Sequence, residues 1–234
     1  MGTGRLLAES HHQGGPQRRQ LTSRLMLQVE NKRSVTICAG VGQSGKSTFA
    51  FRYLINGDFT ARFIFDPEGE AAQRLQLAPA RDVYDLGLAL CSSGGWVIFD
   101  PHTLFPGRVA DGCAFFCEWT FEMASRLPGQ KVLMVDEVWK FISSQKVPEP
   151  LALCVQTGRK RGLATVLNTQ LPNKLHLALR NECSELVCFR LQDSAVLEFP
   201  VERGFNAEEL RALPDLHFIS RAEQGGELRG QIKL

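Results

Sequence analysis

Eight consecutive residues carry the clearest chemistry in this chain. Gly40-Val41-Gly42-Gln43-Ser44-Gly45-Lys46-Ser47 fits the phosphate-binding pattern G-x-x-x-x-G-K-[ST] at every defined position. Gly40 and Gly45 permit backbone angles and a close approach that a Cβ would forbid. Successive loop N–H groups can then converge on an anion at a helix N-terminus. Lys46 has the reach for β- and γ-phosphates, and the Ser47 hydroxyl suits Mg²⁺. Gly40, Gly42, Gln43, Ser44, Gly45, Lys46, Ser47 and Thr48 therefore form the expected nucleotide-binding set, with ATP and Mg²⁺ as its expected cofactors.

Hydrolysing a phosphoanhydride also needs a metal, a polarised water and compensation for charge on the transferred phosphoryl group. Val132-Leu-Met-Val-Asp136-Glu137 offers the first two. Asp136, closing an apolar strand, suits the Mg²⁺ shell together with Ser47, and Glu137 suits the water. An apolar run ending in two carboxylates says little alone; downstream of a complete phosphate loop it acquires a partner.

Gln170 closes the next apolar strand, at the end where ligands of open α/β sheets collect. Its amide could sense the γ-phosphate or the attacking water, or merely cap a turn. Positive charge is densest in Gly158-Arg159-Lys160-Arg161-Gly162. Arg159 or Arg161 could serve a neighbouring subunit as an arginine finger; a solvated loop or a DNA-facing patch accounts for the same letters. Arg180 and Arg190 come next. Asp66 and Asp100 each end a strand in Asp-Pro, as metal ligands or as caps. His102 reads as a turn residue, and Trp139 and Phe141 read as core.

The elements that must hold these groups are legible as alternating apolar strands and helices. Strands are expected at 34–39, 61–65, 95–99, 131–135, 163–167 and 186–190. Helices are expected from 47 onward and at 71–77, 115–127, 150–157 and 207–212. Strands apolar along their whole length argue an α/β fold: a mainly parallel sheet with helices on both faces. Residues 216–221 and 227–234 flank Glu223-Gln-Gly-Gly226 and read as a C-terminal β-hairpin.

The 234 residues, 44% hydrophobic and 22% charged, suit one domain with a sizeable core. The expected division is a disordered tail at 1–20 and a single ATPase domain at 21–234. A net charge of +2 excludes a bulk polycation, so any nucleic-acid contact must be a local patch or a ring of subunits. No apolar run approaches the roughly 20 residues needed to span a bilayer, and residues 1–20 lack a signal-peptide apolar core. Seven cysteines at irregular spacing, with no C-x-x-C pair, fit buried free thiols in a reducing compartment.

Four features together resemble the FtsK–HerA superfamily of P-loop ATPases, which have RecA/ASCE-like cores. They are the loop 40–47, the strand ending Asp66-Pro67, Val135-Asp136-Glu137, and Gly158-Arg-x-Arg-Gly162 running into Asn168-Thr169-Gln170. The resemblance covers residues 33–192. In size and layout the chain is similar to genome-packaging ATPases of membrane-containing icosahedral (tectivirus-like) viruses. The resemblance implies a homo-oligomeric ring, drawn as a hexamer, that moves double-stranded DNA into a capsid. Capsid or portal-vertex proteins would be its partners, in the host-cell cytoplasm or at the packaging vertex. By motif, Lys46 and Ser47 would hold phosphate and Mg²⁺, Asp136 the metal, Glu137 the water and Gln170 the γ-phosphate, with Arg159 or Arg161 as the finger. Three other functions stay open: a DNA-extrusion or conjugative-transfer ATPase, a nucleotide-switched assembly factor that moves no DNA, and a metabolic kinase or nucleotide-dependent ligase.

Overall fold

The computed structural model describes residues 35–223 and 225–233. The tail expected at 1–20, and the remainder up to residue 34, lie outside the described residues. In chain order the elements are β1 (Val35–Ala39), α1 (Lys46–Asn56), β2 (Ala61–Phe65), α2 (Glu70–Leu75), α3 (Val83–Ser92), β3 (Trp96–Phe99), α4 (Val109–Arg126) and β4 (Lys131–Val135). Then follow α5 (Glu149–Thr157), β5 (Leu163–Thr169), α6 (Leu177–Asn181), β6 (Glu185–Cys188), α7 (Ser194–Glu202), α8 (Ala207–Ala212), β7 (His217–Ala222) and β8 (Glu227–Gln231).

Eight strands form one sheet in the order β3-β2-β4-β5-β1-β6-β7-β8. The pairings from β3 through to β6 are parallel, and β6–β7 and β7–β8 are antiparallel. The mainly parallel α/β sheet and the terminal hairpin are thus both present. Strand β5 is inserted between β1, which feeds the phosphate loop, and β4, which ends at Asp136-Glu137. The register Val135↔Leu167 and Ala39↔Thr169 brings the C-terminal ends of all three strands to one edge.

Alternation along the strands sends side chains to two separate cores. Phe63, Phe65, Leu133 and Val135 join the core under α4 and α5, whereas Ile64, Val132 and Met134 join the one under α1 and the hairpin. Phe99 and Phe116 stack at 5.2 Å in the first core. Each such fully buried phenylalanine contributes about 1.5–3 kcal/mol. Helix α1 ends where Arg62 takes up its loose carbonyls, donating from Nε to Leu54 O (2.7 Å) and from Nη2 to Gly57 O (2.9 Å).

Three helices were not expected from the sequence. In α3 the apolar residues Tyr84, Leu86, Leu88 and Leu90 alternate with a strand's period, and Gly87 weakens the helical signal further. Asp82 nonetheless caps the helix, accepting from Asp85 N at 2.8 Å. Helix α7 contains Pro200, and α6 has only five residues. Helix α4 starts six residues earlier than its periodicity indicates, because Gly112 lets it pass Pro101 closely; a Cβ there would come within 2.6 Å of Pro101 Cβ. Of the seven cysteines, six are buried and Cys91 is exposed.

Candidate nucleotide and hydrolysis site

The loop 40–45 is held in shape before any ligand is considered. Gly40 N donates to Thr169 O (3.2 Å) and Val41 N to Arg190 O (2.9 Å), anchoring the loop to the end of β5 and to the segment just after β6. Ser44 Oγ and Lys46 Nζ both donate to Val41 O, at 2.8 and 3.0 Å. Gln43 (φ 59°) and Gly45 (φ 111°) take left-handed backbone angles, turning the chain into α1. The C-terminal segment supports the loop from below, with Leu216 N donating to Ser44 O (3.1 Å). A Cβ on Gly40 would sit 2.6 Å from Phe189 Cβ and 2.7 Å from Ser44 Oγ. Gly40→Ala is therefore expected to destabilise the fold by about 1–3 kcal/mol, read as a lowered midpoint in thermal or urea unfolding. An unchanged midpoint would show that Phe189 moves aside freely.

Three sequence-nominated side chains meet above this loop. Lys46 Nζ lies 3.9 Å from Glu137 Oε1, with Lys46 only 4% exposed. Gln170 Nε2 donates to the same Oε1 at 2.9 Å. Gly42 faces Gln170 as well; a Cβ at this position would lie 4.0 Å from Gln170 Oε1. Burial lowers the Lys46 pKa, and the negative charge of Glu137 and Asp136 opposes that shift. Glu137 itself has φ 44°, a left-handed angle that turns its carboxylate out of the strand direction, over the loop.

Asp136 is 3% exposed, and burial raises its pKa to about 6. The opposing influence is Asn168, whose Nδ2 donates to Asp136 Oδ1 at 2.9 Å. In the sequence Asn168 stands only as part of a motif; the register of β4 beside β5 gives it this contact. Asn168 Oδ1 and Asp66 Oδ1 are buried without a hydrogen-bond partner among the described residues. Oxygen ligands with spare lone pairs beside a buried carboxylate fit a hard divalent cation. Ser47, half-buried in the first turn of α1, would complete the protein's share of such a shell. A Mg²⁺ ion there would neutralise phosphate charge.

Several other nominated residues have partners of their own. Asp66 caps α2, accepting from Ala72 N at 3.0 Å, and burial raises its pKa. Asp100 accepts from His102 N at 2.9 Å in a turn, as its Asp-Pro sequence suggests. Thr48 Oγ1 accepts from Arg74 Nη1 at 2.9 Å. Arg159 and Arg161 lie in the turn before β5, the opposite end of that strand from Gln170. Seven residues of strand separate the two ends by about 20 Å. Arg161 packs on the Phe121 ring, 3.8 Å from its centroid, while Arg159 is exposed. Neither reaches the loop of its own chain, so a finger role requires a neighbouring subunit. Arg190 pairs with Asp215 (2.8 Å) and Arg180 with Glu202 (3.2 Å). Trp139, expected in the core, instead donates from its indole nitrogen to Glu137 Oε2. Phe141 does pack on the core, 5.3 Å from the Phe65 ring.

No family model matches the chain, and no curated protein matches it by sequence. Solved structures do match. The genome packaging NTPase B204 from Sulfolobus turreted icosahedral virus 2, in complex with AMP, superposes with TM-score 0.64 at 17% identity, over 86% of this chain and 98% of that one. The same protein in complex with AMPPCP gives 0.64 at 18%. VirB4 of Thermoanaerobacter pseudethanolicus gives 0.63 at 11%, covering 90% of this chain and 92% of that one. This chain has a P-loop NTPase fold. The match spans nearly the whole of B204. No helix among the described residues is long and apolar enough to cross a membrane.

Two contributors to the site escaped the sequence reading. Trp139 carried a weak signal, an aromatic residue two positions after a nominated carboxylate. Asn168 precedes Gln170 by two and points the same way in an extended strand. Only the neighbouring strand's identity shows what either one touches.

Proposed function

We propose that this chain is an ATP-hydrolysing motor that moves double-stranded DNA, working as a ring of identical subunits in viral genome packaging. The observation that carries the ATPase reading is the meeting of Lys46, Glu137 and Gln170 over the loop, beside the buried Asp136–Asn168 pair. In this reading the loop amides and Lys46 hold the triphosphate, and Ser47 and Asp136 hold Mg²⁺. Glu137 orients or deprotonates the water, and Gln170 reports on the γ-phosphate end of the site. Arg159 or Arg161, at the far end of β5, would act on a neighbour's nucleotide or track DNA phosphates. The likeness to a genome packaging NTPase over nearly its whole length supports packaging as the task. Capsid or portal-vertex proteins are the partners that task requires, and membership of the FtsK–HerA group is part of the same proposal.

The test is steady-state ATP hydrolysis with and without double-stranded DNA. Hydrolysis is expected to rise with DNA, and the increment to shrink as salt goes from about 50 to about 200 mM, because phosphate contacts release counterions. Turnover indifferent to DNA would overturn the motor and leave a nucleotide-switched assembly factor as the better account.

A further inference from the structure

Glu137 is held from more than one direction. Gln170 Nε2 donates to Oε1 at 2.9 Å, and Lys46 Nζ stands 3.9 Å from the same oxygen. The indole N–H of Trp139 takes the other oxygen, Oε2. These contacts follow from a short 3₁₀ turn, Val138–Lys140, that starts directly after Glu137. Val138 is fully buried and pins the turn to the core, so Glu137 and Trp139 emerge together on its outer side. The left-handed angle at Glu137 (φ 44°) completes the geometry by swinging the carboxylate back toward the indole.

The indole is itself seated. Lys174 Nζ lies 5.8 Å from the centre of the Trp139 ring, within range of a cation–π contact. Lys174 ends the 3₁₀ turn Pro172–Lys174, four residues after Gln170 on the same segment. That one segment therefore grips Glu137 twice: directly through Gln170, and indirectly through Lys174 and the indole.

We propose that Trp139 is a positioning residue for hydrolysis, fixing the Glu137 carboxylate through an indole N–H bond to Oε2 so that it can align water. Trp139 need not touch nucleotide to do this. A carboxylate with one free oxygen could rotate about its last side-chain bond, and small misplacements of a reacting group cost up to about 10²-fold in rate. A donor aimed at an ionised oxygen is among the stronger orienting contacts available. The inference rests on Glu137 being the residue that handles water, and the experiment separates the two ideas.

Trp139→Phe keeps an aromatic ring for Lys174 and removes the N–H. It is expected to lower kcat for ATP at least about tenfold while the Kd for ATP, measured by equilibrium titration, stays within about twofold. In a Glu137→Gln background the same change should cost nothing further, because both act through one carboxylate. Replacing Trp139 by 3-benzothienylalanine, which keeps the bicyclic shape and loses only the donor, repeats the measurement should Trp139→Phe misfold. Full kcat in either replacement, beside an inactive Glu137→Gln, overturns this inference alone. Normal turnover by Glu137→Gln overturns the assignment of Glu137 and this inference with it. A kcat loss accompanied by an equal loss of ATP affinity would assign Trp139 to binding and overturn the positioning role.

Discussion

Replacing Glu137 by Gln should slow ATP turnover by about 10³-fold while ATP affinity stays nearly unchanged. The substitution keeps size, and its amide oxygen can still accept from Trp139, while Gln170 turns its own oxygen to accept from the new NH2 group. What disappears is the negative charge that can take a proton from water. Gain or loss of a positioned general base is worth about 10²–10⁴ in rate, and a group acting only in the transition state affects kcat without KM. Lys46 should feel the loss too, since Glu137 is the largest influence opposing the burial that lowers its pKa. Single-turnover hydrolysis beside equilibrium ATP binding separates these effects. If the variant hydrolyses at the wild-type rate, a different residue handles the water.

Asp136→Asn should act in opposite directions on activity and stability. Activity should fall by about 10²–10³-fold, because the carboxylate expected to hold Mg²⁺ becomes a neutral amide. The metal-free fold should become firmer at neutral pH. Asp136 is buried, and its pKa in the folded chain is about 6 against an ordinary 3.8. Folding therefore favours the protonated form. Stability from this group is fully present below about pH 4 and falls as pH rises through 6, a loss of about 3 kcal/mol. Asparagine avoids that loss and can still accept the bond from Asn168 Nδ2. In EDTA at pH 7.5 the variant is expected to unfold several degrees above the parent, on the order of 2–4 °C per kcal/mol. The gap should close by about pH 3, where the parent's carboxyl is protonated in both states. A variant that unfolds earlier than the parent at pH 7.5 would mean that Asp136 is stabilised by charge, contrary to its burial.

The two substitutions bear on one design feature. A buried carboxylate such as Asp136 is costly until a cation arrives, and function is often sited where the fold alone would choose otherwise. Asn168 Oδ1 and Asp66 Oδ1, both buried without partners among the described residues, belong to the same pattern.

The sequence by itself determined the local parts. Spacing within a single segment specifies the loop, because glycine freedom, the lysine and the hydroxyl act over eight contiguous residues. It likewise specified the apolar strands and the acids that close β4, since burial on both faces leaves an unbroken apolar run. Helix α3 was lost to a local ambiguity, an alternating apolar pattern that the sheet edge overrides, and α7 to a proline that its last turn tolerates. Strand order was decided by the tertiary structure alone. Inserting β5 between β1 and β4 sets Asn168 beside Asp136 and Gln170 beside Glu137, contacts 32 and 33 residues apart in the chain. The turn after Glu137, which brings Trp139 back onto its carboxylate, depends on Val138 finding the core. Such contacts arise from the docking of distant segments, where packing and hydrogen bonding across the sheet outweigh any preference encoded within one of them.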